Sequence, residues 1–147
     1  MLLDDHSLAG RLYHVDAGAP VDIEALTREL QSATHVLIGE KHDNPVHHEK
    51  QAELVRLIGK AGRTGQITFE MIEQRYAGDL KPEGELDLTS LGEALEWEAR
   101  GWPSWSQYAP IFEAALAADM RLKAGNPDRD EMMLVGRGNP VRGEAAA

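Results

Sequence analysis

Ionisable side chains are concentrated in residues 37–51, LIGEKHDNPVHHEKQ. This segment holds three histidines and two glutamates within fifteen residues. Closely spaced imidazole and carboxylate groups can bind a metal or haem iron, pair with charged groups of a ligand, or transfer protons as general acid and base. The alternative is a solvated loop that leads into a charged helix face. The elements on either side decide whether these groups meet in space.

The flanking residues predict a strand before this segment and a helix within it. Residues 35–39, HVLIG, form an apolar run that ends in glycine, which is typical of a buried parallel strand. Asn44 can cap the helix, and Pro45 suits its first position because the N–H there has no helical partner. Residues 66–72, QITFEMI, predict a second buried strand. Strand, helix and strand would then form a right-handed βαβ unit.

The rest of the chain predicts further helices and strands on either side of this unit. Helical periodicity predicts helices in residues 21–33, 88–102 and 103–120, and short apolar runs predict an edge strand in 8–16 and a third buried strand in 121–126. From Pro127 onward the periodicity is lost.

The predicted fold class is α/β, with a mostly parallel sheet, flanking helices and a small helical lobe. The length favours one domain over residues 1–147. We assign the helical lobe to residues 77–110. Residues 136–147 are rich in Gly and Pro and are predicted to be disordered.

Polar side chains follow the predicted buried strands at their carboxyl ends. Glu40 and His42 come after the first strand, Glu70 lies near the end of the second, and Asn126 ends the third. Parallel sheets bind ligands at this edge, and an unpaired buried carboxylate is costly, so we expect these groups to lie close together. The alternative is a structural role, as an ion-paired carboxylate or as a loop histidine bonded to a backbone carbonyl.

Three residues of the predicted helix start are further candidates. Asn44 is a ligand contact or only an N-cap. His47 and His48 are adjacent on the helix, about 100° apart, so they cannot both face one ligand squarely. The sequence leaves open which of the two faces inward.

Aromatic residues form a second candidate feature between the second and third strands. They either pack in the core or provide an apolar wall for a planar ligand, with a tyrosine hydroxyl as a ligand or hydrogen-bond donor. The cluster comprises Trp97, Trp102, Trp105 and Tyr108.

Composition excludes several classes of protein. The net charge is -10, from 15 Lys and Arg against 25 Asp and Glu, which argues against nucleic acid and anionic membranes as partners. The chain has no cysteine, which excludes disulfides, thiolate metal sites and cysteine nucleophiles. No apolar run is long enough to span a membrane. No signal peptide is visible at the amino end, so a cytoplasmic location is one expectation.

Four motifs together resemble the ChaN family of haem-binding uptake proteins, within the broader Tiki and erythromycin-esterase-like group. They are LIGEKHDNPVHHEKQAELV, ITFEMIE, GWPSWSQYAPIFEAA and AGNPDRD, and the resemblance extends over residues 12–130. It implies an α/β fold and non-enzymatic haem binding at a dimer interface, in iron or haem uptake. Typical members are exported lipoproteins and are longer, which implies a periplasmic or outer-membrane location and a domain that is incomplete at its C-terminus.

The resemblance also implies ligand roles that the sequence does not assign to single residues. A tyrosine would ligate the haem iron, with Tyr108 and Tyr76 as candidates, and a histidine and a lysine would hold the propionates, with His42, His48 and Lys41 as candidates. The full set of candidate haem-binding residues is Glu40, Lys41, His42, Asn44, His48, Glu70, Trp105 and Tyr108.

Two other functions remain open from the sequence. The first is a metal-dependent hydrolase or peptidase in which Glu40, His42 and Glu70 bind a metal or act as general base. The second is a truncated domain that binds no ligand.

Overall fold

The computed structural model describes residues 6–80 and 86–137. Their helices confirm most of the helices that periodicity predicts. Asp22 caps α1 and Asn44 caps α2, each by accepting a backbone N–H, and Pro45 occupies the first position of α2 as expected. The helices are α1 Ile23–Ser32, α2 Pro45–Lys60, α3 Leu88–Ala94, α4 Trp105–Ala117 and α5 Arg129–Gly136.

The strands form two separate pairs in the described part of the chain. Strands β1, Leu12–His14, and β2, Ala19–Val21, make an antiparallel hairpin near the surface. Strands β3, Gly65–Glu73, and β4, Met120–Asn126, pair in parallel, with Gly65 opposite Met120 and Glu73 opposite Asn126. The connection from β3 to β4 runs through α3 and α4, as parallel pairing requires.

The core lies where α2 and α4 pack over the parallel strands. Phe69 of β3 stacks on Phe112 of α4, with ring centroids 4.1 Å apart and an interplanar angle of 4°. Ile72 of β3 and Leu95, just after α3, are fully buried beside them. Because α4 leads back to the amino end of β4, its first turns lie toward the carboxyl ends of the strands.

The prediction of a strand at residues 35–39 is wrong. Those residues have no regular secondary structure, and the side chain of Leu37 is 92% exposed. They face β3 across a groove of about 890 Å³, so they form no ladder of hydrogen bonds with it. Apolar residues favour a strand only weakly unless a neighbouring strand pairs with them. The parallel strand pair therefore consists of β3 and β4, connected through α4. The predicted pairing of residues 35–39 with 66–72, connected through α2, is not formed.

Helix α5 was missed because it has no buried face. None of its residues is buried, so no apolar periodicity marks it in the sequence. Asp130 and Glu131 in its first turn favour a helix start, since carboxylates interact well with the N-terminal end of a helix.

The predicted domain bounds stay predictions. The helical lobe at 77–110 includes residues 81–85, and the predicted disordered tail at 136–147 includes residues 138–147, and both stretches lie outside the described residues. No helix within residues 6–80 and 86–137 is both long and apolar enough to cross a bilayer.

The exposure of Leu37 predicts how two apolar substitutions affect stability. Leu37→Ala should change the free energy of unfolding by less than about 0.5 kcal/mol, as expected for a surface position. Ile72→Ala, at a fully buried position, should lower it by about 2–5 kcal/mol through loss of burial and creation of a cavity. Urea denaturation measures both values. A loss in Leu37→Ala close to that in Ile72→Ala would show that residues 35–39 are buried as a strand.

Candidate functional site

The carboxylate of Glu40 is the centre of the candidate site. Its side chain is 7% exposed, and it lies in the loop before α2. The hydroxyl of Tyr108, on α4, donates a hydrogen bond of 2.9 Å to its Oε1. Nδ1 of His42 contacts the same oxygen. Glu40 therefore links the loop to the core on one side and orients a histidine on the other.

His48 lies against the buried side of this carboxylate. It is 1% exposed, and its ring packs on the ring of Tyr108 with a centroid distance of 4.0 Å. Its Nε2 is 3.1 Å from Oε2 of Glu40, an ion-pair distance when the ring is protonated, although within the described residues neither atom makes a hydrogen bond. The sequence-predicted candidates Glu40, His42, His48 and Tyr108 are thus brought together.

The contact with Glu40 determines which nitrogen of His42 carries the proton in the neutral ring. A carboxylate only accepts hydrogen bonds, so Nδ1 of His42 carries the proton that lies between them. In the neutral ring Nε2 then has the lone pair, and it is not engaged by Glu40. The side chain is 42% exposed, and its ring meets Trp102 edge-on at a centroid distance of 5.0 Å. His42 therefore presents a basic nitrogen in a fixed orientation.

His47 has the opposite arrangement. Its Nδ1 accepts the backbone N–H of Lys41 at 2.9 Å, so in the neutral ring Nε2 carries the proton. The ammonium group of Lys41 is 3.4 Å from Asp43, and the Lys41 side chain is 74% exposed. This part of the loop offers hydrogen-bond donors and a positive charge to an anion.

Neither candidate tyrosine presents its hydroxyl to solvent. Tyr108 is fully buried, and burial, with the hydrogen bond to Glu40 adding to it, raises the pKa of its phenol. Tyr76 is 7% exposed and donates to Glu96 at 2.7 Å, and burial raises its pKa also. Both hydroxyls are therefore already engaged as hydrogen-bond donors within the fold.

The tryptophans divide between the core and the site. Trp97 is 1% exposed and donates to the carbonyl of Pro103. Trp105 donates to the carbonyl of Leu88 and packs on Gly92, where an added Cβ would lie 2.7 Å from the indole. Both are therefore held by helix packing. Trp102 is the tryptophan that contacts the site, through the ring of His42.

The groove along β3 brings a further predicted residue near the site. Glu40, His42 and Glu70 all line this groove, whereas Lys41, Asn44, His48, Trp105 and Tyr108 do not. Glu70 is exposed, and its backbone carbonyl accepts a hydrogen bond from Asn126. Asn44 caps α2 through its side chain.

Acidic and histidine side chains do not form a metal-binding group in the described ranges. Among residues 6–80 and 86–137, no set of three or more His, Asp or Glu side chains is arranged to hold a metal ion. Glu40, His42 and Glu70 line one groove without forming such a set there. This geometry gives no support to the metal-dependent form of the hydrolase hypothesis.

A comparison with known families decides how the chain is classified. Residues 26–145 match the family described as haem-binding uptake, Tiki superfamily, ChaN. The chain belongs to the ChaN family. This confirms the resemblance that the four sequence motifs indicated.

A solved structure supports the same fold for this ChaN-family chain. The structure is described as cofacial heme binding to ChaN of Campylobacter jejuni, and it matches with a TM-score of 0.73 at 19% sequence identity. The match covers 87% of this chain and 52% of that one, so the present chain spans about half the length of that relative. No curated protein matches the chain. The predicted α/β fold is confirmed.

The choice between His47 and His48 could have been made from the sequence. His48 lies four residues before Ala52 and seven before Val55, so all three share one face of α2. Because that face carries the apolar residues, His48 is the inward one and His47 points outward. His47 is not among the haem-binding candidates predicted from the sequence. The helical period of α2 is the signal that places it on the outward face.

The raised pKa of Tyr108 predicts a pH dependence of stability. The phenol has an ordinary value of 10.0 when unfolded and a higher one when folded, so its neutral form is favoured by folding. This contribution is complete below pH 10 and is lost as the pH rises toward the folded pKa. In Tyr108→Phe, the free energy of unfolding should therefore fall less steeply above pH 10 than in the wild type. Urea denaturation between pH 8 and 11 measures the slopes, and equal slopes would contradict the assignment.

Proposed function

We propose that this chain binds haem, with Nε2 of His42 directed at the iron. The observation that supports this is the contact between Glu40 and Nδ1 of His42, which leaves Nε2 as the basic nitrogen. Histidines that ligate metals usually donate their other ring N–H to a carboxylate or carbonyl, which fixes the tautomer and increases the basicity of the ligand. Histidine is also a common axial ligand of haem iron.

The size and lining of the groove beside His42 support this proposal. Its volume is about 890 Å³, and apolar side chains from the loop before α2, from α2 and α4 and from both parallel strands line it together with polar ones, His42 among them. Small-molecule sites are typically clefts of this size in which apolar side chains are combined with polar groups that fix the orientation of the ligand. The apolar side chains are Val36, Leu37, Ile38, Val55, Ile58, Ile67, Phe69, Met71, Ile111 and Met120.

The same loop offers partners for the propionates. Lys41 supplies an exposed ammonium group, and His47 supplies an N–H donor from Nε2. Hydrogen bonds between charged partners are roughly twice as strong as neutral ones. We therefore assign the propionates to Lys41 and His47, in place of the buried His48.

A haemin titration tests the role of His42. His42→Ala should weaken binding by roughly 100-fold or more, because an axial ligand contributes at least as much as the outer partners of a metal site, whose loss costs about 10- to 100-fold. The matched control is His6→Ala, which removes an exposed histidine that does not line the groove. The shift of the Soret band measures binding.

The outcomes of this titration separate the three functions considered. Weak binding by His42→Ala with unchanged binding by His6→Ala supports the proposal. Equal affinity in both variants would remove His42 from the iron site. A wild type without a saturable Soret shift would contradict haem binding and favour a domain that binds no ligand.

We further propose that the protein acts in iron or haem uptake as a homodimer, at the periplasmic side or at the outer membrane. The classification as a haem-binding uptake family supports the first part. Cofacial haem binding in the Campylobacter structure supports the homodimer. A haem that is held by one chain on one face leaves its other face to be covered by a second copy. His42 lies at the surface, where a second copy could approach it.

Light scattering after size exclusion tests the dimer. The molar mass of the wild type should double when haemin is added, whereas His42→Ala should remain at the mass of the haem-free protein at the same concentration. A wild type that binds haemin and keeps the mass of a single chain would contradict the dimer and leave haem binding intact.

A further inference from the structure

We infer that Tyr108 is a positioning residue for haem binding, which acts through Glu40 on His42 and does not touch the iron. The inference rests on the proposed function of His42. It assigns a role to a buried hydroxyl that lies away from the groove.

The position of Tyr108 is fixed by the core. It is fully buried, its ring is 4.0 Å from that of His48 and 4.8 Å from that of Trp97, measured between centroids, and it belongs to α4. Its hydroxyl is thus a rigid donor at a set point above the loop. The hydrogen bond of 2.9 Å to Glu40 restrains a residue that lies in a loop, outside every helix and strand.

Glu40 depends on that donor because it is almost fully buried. The same Oε1 receives the Tyr108 hydroxyl and contacts Nδ1 of His42, while Oε2 makes no hydrogen bond within the described residues. Loss of the hydroxyl leaves His42 as the remaining hydrogen-bond partner of the carboxylate there. A buried carboxylate with fewer donors is costly, so it would move toward water and take His42 with it.

Trp102 restrains the same ring from a second side. Its edge-on contact with His42 fixes the plane of the imidazole but makes no hydrogen bond to it. The contact with Glu40 therefore selects the tautomer of His42, and the hydrogen bond from Tyr108 positions Glu40. This chain of contacts predicts that the effect of Tyr108 on a ligand passes entirely through His42.

Tyr76 provides a matched control in the same protein. Like Tyr108, it is a buried tyrosine whose hydroxyl donates to a glutamate, Glu96, at 2.7 Å. In the described parts of the chain Glu96 makes no hydrogen bond or ion pair with the loop that holds His42, and Tyr76 packs instead against Arg75 and Arg100. Tyr76→Phe and Tyr108→Phe each remove one oxygen and keep the ring.

A double-mutant cycle with haemin tests the inference. Tyr108→Phe should weaken binding by roughly 10- to 100-fold, as outer partners of metal ligands do, and Tyr76→Phe should leave it unchanged. In the background of His42→Ala, Tyr108→Phe should cause no further loss, because the two residues act as one unit. Equal affinities for Tyr108→Phe and Tyr76→Phe would overturn the inference. The inference would also be overturned if Tyr108→Phe weakened haemin binding as much in the background of His42→Ala as in the wild type. Tyr108 would then act on the ligand independently of His42.

The same cycle in the haem-free protein separates this inference from the proposed function. In urea denaturation, the effects of Tyr108→Phe and His42→Ala on unfolding should be non-additive, and those of Tyr76→Phe and His42→Ala should be additive. If the wild type does not bind haemin, the proposed function fails and this cycle alone decides whether Tyr108 holds His42. The urea cycle is likewise decisive when His42→Ala leaves no measurable binding of haemin, because the haemin cycle cannot then be completed. Additive effects for Tyr108 and His42 would overturn the inference.

Discussion

The site depends on one constraint: the carboxylate of Glu40 is buried and must be given hydrogen-bond donors. A buried charge without partners is among the costliest features a fold can contain. The structure meets this cost with the hydroxyl of Tyr108 and Nδ1 of His42. These two donors come from opposite sides, one from the core and one from the surface. The carboxylate therefore couples the position of Tyr108 in the core to that of the partly exposed His42.

The packing of α4 sets where this can happen. The stacking of Phe112 on Phe69 fixes α4 over the parallel strands, and Tyr108 lies about one turn earlier on the same helix. The tryptophans complete this arrangement: Trp97 packs against Tyr108, and Trp102 packs against His42. The aromatic cluster is thus a framework that holds the site. This is a different role from the porphyrin wall that its composition suggested, because none of the four residues of the cluster lines the groove.

Local patterns in the sequence predicted most helices and the parallel strands at 66–72 and 121–126. Caps, proline positions and apolar periodicity are encoded by near neighbours, which is why α2 could be placed to within a residue or two. The strand at 35–39 was predicted wrongly because pairing depends on a partner distant in sequence, and α5 was missed because it buries no face.

The candidate site could be predicted only in part for the same reason. Glu40 and His42 were identified from their place after an apolar run. Their contact with each other is local, but the hydrogen bond from Tyr108 joins residues 68 positions apart and follows only from the packing of α4. The tautomers of His42 and His47 likewise depend on which atom each ring nitrogen meets. Sequence showed which groups could act, and the folded geometry shows which nitrogen each one presents.

The role of His42 depends on Glu40, which fixes the proton of that ring on Nδ1. Nitrogen-15 NMR of the histidine rings in the haem-free protein measures this directly, because protonated and unprotonated ring nitrogens have well-separated shifts. For the neutral ring of His42 we expect a protonated Nδ1 and an unprotonated Nε2 in the wild type, and loss of that preference in Glu40→Ala. A proton on Nε2 in the wild type, or spectra of His42 that are the same in both proteins, would contradict it.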